Sequence, residues 1–205
     1  MYGKIISIVL VALAFAPGPA NACKGLNKLL EDDFSNPGSG WLQQAPKMAI
    51  KGGKLQLTTE PMQHSSASFE GDLFNNADAC VTVTAPDVKD ESIGIAGLMF
   101  YLTNKYEFYV FAVSPAVGKA GVMRIVDGEF LTPVEFRAAD GIKTGGNSVN
   151  TLRVTWNNGS VSTYINDHPF ATFNARPPKN GKIGLYAESS GATWAFTQLL
   201  LTDVP

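Results

Sequence analysis

From Ile93 to Val204 the apolar residues arrive in runs of strand length, each closed by turn residues, with almost no helical spacing. The runs are IGIAGLMFYLT, YEFYVFAVS, AGVMRIVDG, VNTLRVTWNN, GSVSTYIND, KIGLYAES and TWAFTQLLLTDV. Period-two alternation between turn signals is the mark of β-strands. In Gly97–Leu102 the alternation places Leu98, Phe100 and Leu102 on one face and Met99 and Tyr101 on the other. In Tyr106–Val113 it places Tyr106, Phe108 and Val110 on one face and Tyr109, Phe111 and Val113 on the other. Strands apolar on both faces are covered on both sides or carry a binding surface. Thr103-Asn104-Lys105 joins the two as neighbours, and Asn157-Asn158-Gly159 signals a hairpin, because Asn-Gly accepts the positive φ of a type I′ turn.

Ahead of these runs the pattern predicts a short helical turn from Leu26, Leu29 and Leu30. A first strand follows over Asp32–Ser35, and a turn over Asn36-Pro37-Gly38-Ser39-Gly40 leads to Trp41, expected to plug one end of the fold. Met48–Lys51 and Lys54–Thr59 form a hairpin about Gly52-Gly53, and further strands cover Ser66–Glu70 and Asp78–Thr84. Pro86–Glu91 reads as a charged loop, and Ala138–Asn147 and Arg176–Gly181 as polar loops. The whole predicts an all-β, two-sheet antiparallel sandwich. No repeat, low-complexity tract or linker divides it, so residues 23–205 are expected to be one domain.

Residues 1–22 have a different character. Lys4 precedes the apolar stretch Ile5–Ala16, Pro17-Gly18-Pro19 breaks it, and Ala20-Asn21-Ala22 has the small-x-small form of a signal-peptidase site. The stretch is too short to span a bilayer. Cleavage after Ala22 and a secreted or periplasmic location are expected. A net charge of −2 without a basic run argues against nucleic acid as a partner, and 45% hydrophobic with 17% charged residues argues for a packed fold over disorder. In an oxidising compartment the two cysteines, Cys23 and Cys80, are expected to pair. The bond would close a loop of roughly 57 residues, a constraint of about 4 kcal/mol. The rival is a lipid on Cys23, although Ala20 stands where a lipobox usually has leucine.

In their order, Asp32-Asp33-Phe34-Ser35 with Gly40-Trp41, Gly53–Leu57, Gly97–Phe100 with Tyr106–Phe111, Asn150–Val154 with Tyr164-Ile165-Asn166, Gly181–Tyr186 and Phe196–Val204 form one series. That series resembles the concanavalin A-like lectin/glucanase superfamily in its laminin G-like branch. The likeness covers Asp32 to Val204. One departure is Asn166-Asp167-His168, where such domains usually have Asn-Gly. The resemblance implies a jelly roll of two curved sheets whose concave face accepts a glycan in many relatives. Fold alone does not choose between lectin, glycosidase and adhesive domain.

Glycosidases need two carboxylates flanking the bond. The Glu-x-Asp-x-x-Glu string of the glucanase branch is missing from this sequence, and Glu70 with Asp72 is the nearest spaced pair. Glu107 and Glu188 sit among apolar strand residues, the bland alternative being a position at a rim or an edge. No histidine or cysteine spacing points to zinc, and His64 and His168 fall in turn-like surroundings. Structural calcium is an option that the resemblance raises, with Asp33 and Asp203 meeting if the first and last strands pair. Aromatic residues are the better clue, since a sugar ring stacks on a flat apolar side chain with polar neighbours. Tyr101, Tyr109, Tyr186 and Trp194, with Glu188, are the candidate ligand-binding residues, each weighed against an ordinary core role. The expectation is a non-catalytic exported sandwich that binds carbohydrate or an extracellular polymer. A structural or protein-binding envelope role and, last, a glycoside hydrolase are the alternatives. A glycan or polysaccharide is the expected partner, a protein the second.

Overall fold

In the computed structural model the described residues are 22–42, 47–60, 63–87, 94–178, 181–189 and 191–205. The segment read as a signal peptide, through Asn21, part of the Pro86–Glu91 loop and Lys179-Asn180 lie outside them. The strands are β1 (Lys28–Asp32), β2 (Met48–Ile50), β3 (Leu55–Thr58), β4 (Gln63–Ser68), β5 (Ala77–Thr84), β6 (Ile95–Asn104) and β7 (Glu107–Ser114). They continue as β8 (Lys119–Val126), β9 (Glu129–Ala138), β10 (Val149–Asn157), β11 (Ser160–Ile165), β12 (His168–Asn174), β13 (Lys182–Ser189) and β14 (Thr193–Thr202). They make two antiparallel sheets. One has six strands in the order β4-β13-β6-β7-β8-β9, and the other has eight, β12-β11-β10-β5-β14-β3-β2 with β1 added beside β14. No helix of the described residues is long and apolar enough to cross a membrane.

The core lies between the sheets. Leu98, Phe100, Phe111 and Leu185 of the six-stranded sheet meet Leu57, Val81, Leu152, Trp156, Trp194 and Phe196 of the other, all buried. Alternation turns the remaining residues of β6 and β7 outward, where Met99, Phe108, Val110 and Ala112 form a second apolar cluster with Met123, Ile125 and Tyr186 of β8 and β13. Both faces of β6 and β7 are therefore apolar, as their sequence indicates.

Two backbone irregularities change which face residues meet. Tyr101 has φ 51°, and the pairing of β6 with β7 shifts between Phe100 and Asn104. In this bulge four steps along β6 match two along β7, and the alternation breaks at Tyr101, which joins Phe100 in the core while Leu102 turns outward. The expected grouping of Leu102 with Leu98 and Phe100 is corrected accordingly. Gly181 permits the bulge, since a Cβ there would stand 2.6 Å from the Tyr101 Cα. In β14, Gln198 has φ 57°, and the strand changes neighbour there, from β3 before the irregularity to β1 after it.

The N-terminal expectation is also corrected. Residues 28–32 form a strand against β14 where a helical turn was expected over Leu26–Leu30, because pairing with Leu199–Thr202 supplies their backbone partners. The strand stops at Asp32: its carboxylate accepts the Phe34 N–H (2.7 Å), that of Asp33 accepts the Ser35 N–H (2.9 Å), and Phe34 has φ 57°. Trp41 donates from Nε1 to Asp32 (2.8 Å) and packs between Phe34 and Phe69. β1 does pair with the last strand, but antiparallel pairing puts Asp203 beside Asn27 and leaves Asp33 at the other end of β1. Six residues at about 3.3 Å each separate the two by roughly 20 Å, so they cannot share a calcium ion.

Cys23 and Cys80 are bonded, with Cα atoms 5.7 Å apart, so the Cys23 sulfur is not free to carry a lipid. Cys80 points to the outer face of the eight-stranded sheet, and the N-terminal segment packs there with Leu200. Beside it Asp78, fully buried, accepts two hydrogen bonds from Arg153 (2.8 and 2.9 Å) and one from the Lys24 N–H (2.7 Å).

The turn at Asn166-Asp167 takes the place of Asn-Gly, with φ 49° and 67°. Asn166 is fixed by its side chain, which accepts the Thr151 N–H (2.8 Å) and donates to Gly141 O (2.7 Å) and Asn150 Oδ1 (2.8 Å). Among the described residues the Asp167 side chain makes an exposed pair with Lys24 at 3.8 Å, worth little. Its left-handed backbone costs about 1 kcal/mol that glycine avoids. Asp167→Gly should raise stability by up to about 0.5 kcal/mol after glycine's own entropy loss, read as a slightly higher denaturant midpoint at unchanged slope.

Candidate functional site

The outward face of the six-stranded sheet carries a groove of about 620 Å³, within the range of small-molecule sites. It crosses the sheet beside the β6–β7 turn. Its floor is Met99, Leu102, Phe108 and Ile125. One flank is built by β4 and β13, whose register sets Tyr186 opposite Ser66 and Glu188 opposite His64. Every second residue of β4, His64, Ser66 and Ser68, therefore shares the groove face with Tyr186 and Lys182.

His64 and Tyr186 are diagonal neighbours across the pair, and their rings stack at 5.7 Å with 14° between planes. Tyr186 is buried beneath the exposed His64 ring and donates its hydroxyl proton to Glu188 Oε2 (2.7 Å). Burial first, and the Glu188 carboxylate second, push the Tyr186 phenol well above the usual tyrosine range, so it stays a neutral donor. At the edge of this flank Glu70 accepts the Ser68 hydroxyl (2.7 Å) and the Lys182 ammonium (2.9 Å). The serine bond first, and the lysine next, hold its carboxyl below the ordinary glutamate range. The Ser66 hydroxyl has no hydrogen-bond partner among the described residues and faces the groove.

The opposite flank is dominated by two exposed rings. Tyr106 and Phe130 are 53% and 57% exposed there, and the Lys105 ammonium lies 4.7 Å from the centre of the Tyr106 ring. Asn104 accepts the Tyr106 N–H (2.8 Å), which fixes this turn at the groove's mouth.

Of the five residues proposed from sequence, the structure brings two together at this face, Tyr186 and Glu188. The other three lie between the sheets. Tyr101 packs edge-on to Trp156, Tyr109 accepts the Arg176 N–H on its hydroxyl (2.9 Å), and Trp194 lies fully buried opposite Leu57. The Tyr101 bulge and the inward parity of Tyr109 and Trp194 put their rings out of reach of a ligand in this groove. Sequence reasoning missed His64, Ser66, Ser68 and Lys182, and weighed Glu70 only as a carboxylate paired with Asp72. Both histidines lie at the start of strands, His64 second in β4 and His168 first in β12, where turn-like surroundings were expected. The signal for them is faint: His64, Ser66 and Ser68 are polar at every second position, but Ser65 between them is polar too.

Among the described lining residues Glu70 is the single carboxylate. Glu107 accepts the Thr103 hydroxyl (3.0 Å) at the strand end. The one grouping of His, Cys, Asp or Glu close enough to share an ion, among the described residues, is Cys23, Asp78 and Cys80, and its sulfurs are bonded to each other.

No family model matches the sequence, and no curated protein does. Solved structures match it closely in shape. The carbohydrate-binding module CBM66 from Bacillus subtilis superposes with a TM-score of 0.66 at 15% identity, over 80% of this chain and 96% of that one. The potassium-bound carbohydrate recognition domain of Emp46p superposes with a TM-score of 0.63 at 12% identity, over 82% and 90%. A Bacillus licheniformis β-glucanase superposes with a TM-score of 0.61 at 14% identity, over 88% and 100%. The fold is the concanavalin A-like jelly roll. The resemblance seen in the strand order is thus a resemblance of fold, and this jelly roll is shared by binding modules, lectin domains and hydrolases.

Proposed function

We propose that this jelly roll is an exported carbohydrate-binding domain that holds a glycan in the groove without cleaving it. The observation that carries the reading is the stacked His64–Tyr186 pair, a flat platform bordered by Ser66, Ser68 and the Glu70–Lys182 pair. Sugar rings present apolar C–H faces and peripheral hydroxyls, and this flank offers a match for both. The names of two similar structures, a carbohydrate-binding module and a carbohydrate recognition domain, support the same reading. Binding is favoured over hydrolysis because the lining has one carboxylate, already engaged by Ser68 and Lys182, where a glycosidase needs two flanking the bond. The Cys23–Cys80 disulfide supports an oxidising compartment.

The test is a glycan-array screen of the purified protein, with calcium and with chelator, followed by titration of His64→Ala. A specific glycan should be captured, and loss of the exposed ring should weaken it about tenfold, the scale of one aromatic contact of about 1.4 kcal/mol. An array without a specific hit would overturn the reading, as would His64→Ala binding with unchanged affinity.

A further inference from the structure

The groove is chemically two-sided. Its β4–β13 flank is hydroxyl, imidazole and charge, while Met99, Leu102, Phe108 and Ile125 make a hydrocarbon floor that runs to Phe130, with Thr103, Asn104, Lys105 and Tyr106 at the mouth. At the far end two of the polar side chains are already engaged, and the Lys105 ammonium lies over the Tyr106 ring at the mouth. Thr103 donates to Glu107, and Asn104 donates to Thr103 and accepts from Tyr106. Tyr186, at the centre, spends its hydroxyl proton on Glu188. A second sugar laid over Phe108 and Ile125 would leave its hydroxyls against side chains that cannot pair them, which disfavours a plain glycan chain along the whole groove.

Two large apolar side chains, Tyr106 and Phe130, stand more than half exposed at that end, and Leu42 is 50% exposed at the groove's border. Scattered exposed apolar residues are ordinary, but these three line one cavity that already has a buried apolar floor. An occupant that satisfies both flanks has a hydroxylated head and an aliphatic part attached to it.

Building on the carbohydrate reading above, we infer that the ligand is a saccharide carrying an alkyl or acyl chain, with the sugar against His64, Ser66 and Tyr186 and the chain over Phe108, Ile125 and Phe130. The sugar supplies recognition at the polar flank. The chain supplies affinity, since each methylene withdrawn from water contributes a factor of about four. The groove's volume accommodates one sugar ring with a short chain.

Titration calorimetry of the purified protein with octyl glycosides of glucose, galactose, mannose and N-acetylglucosamine, each below its micelle concentration, against the matching methyl glycosides tests this. At least one octyl glycoside should bind ten times or more tighter than its methyl counterpart. Phe130→Ser with Tyr106→Ser, both at exposed positions, should cut that ratio to threefold or less, whereas His64→Ala should weaken both ligands and keep the ratio. Octyl and methyl glycosides binding within threefold of each other would overturn the chain's role and leave the carbohydrate reading standing. A sugar-free amphiphile, octyl tetraethylene glycol, binding as tightly as the octyl glycosides would overturn both. No binding of any octyl glycoside would overturn this inference, and the glycan array then decides the parent reading separately.

Discussion

Replacing Asp78 by alanine should destabilise the protein by about 3–5 kcal/mol, the scale for removing one member of a buried ion pair. Asp78 is fully buried on β5, and its two oxygens bind Arg153 on β10 and the Lys24 N–H. The Arg153 side chain is 11% exposed. Its guanidinium also lies 4.7 Å from the centre of the Tyr164 ring, a contact too weak to replace a carboxylate. Without Asp78 a cation is left in a low-dielectric site, and the chain after Cys23 loses its anchor. Chemical denaturation should show the lower midpoint at unchanged slope. The double variant Asp78→Leu with Arg153→Met should recover much of the loss, because it leaves no unpaired charge. If the double variant is no more stable than Asp78→Ala, the unpaired-cation account fails.

Breaking the Cys23–Cys80 bond is the second large effect. The 57-residue separation predicts a loss of about 4 kcal/mol through the unfolded state. For a chain of this length that lowers the melting temperature by about 10 °C, at roughly 2–4 °C per kcal/mol. Scanning calorimetry of Cys23→Ala with Cys80→Ala against the oxidised protein reads it directly. The two large effects share a neighbourhood, since the disulfide holds Cys23 and Asp78 holds Lys24, the next residue. Their combination should therefore cost less than the sum, by a coupling of the size found for residues in contact. A fully additive result would mean that the two tie down the segment independently.

Much of this fold was legible because the residues that form it answer to one rule at a time. Asn158-Gly159 takes φ 49° and 86° and turns β10 into β11, as Asn-Gly signals. The central strands β6 and β7 were visible from apolar residues on both faces. What stayed hidden depends on partners distant in sequence. β9 and β12 contain Pro133 and Pro169 and lie at the outer edges of their sheets, where proline is tolerated but a period-two signal is weak. The leucines at 26, 29 and 30 have helical spacing by coincidence. Leu26 is 95% exposed, and the segment is a strand because β14 offers it an edge. The Tyr101 bulge moved one candidate ring from the outward face to the core with no local signal. The groove draws residues from all six strands of its sheet, so Tyr186 and Glu188, two apart on one strand, could be read together from sequence, whereas His64 and Ser66 became partners only through the β4–β13 register.

The anchoring of Cys23 to β5 has a practical side. Ala22 and Cys23 lie against the outer surface of the eight-stranded sheet, and the groove opens on the outer surface of the other. A biotin or fusion partner joined ahead of Ala22 leaves the molecule on the far side from the binding face. A sensor chip or an array probe tethered that way presents the groove to the solution, and a blank reading there cannot be blamed on a blocked entrance.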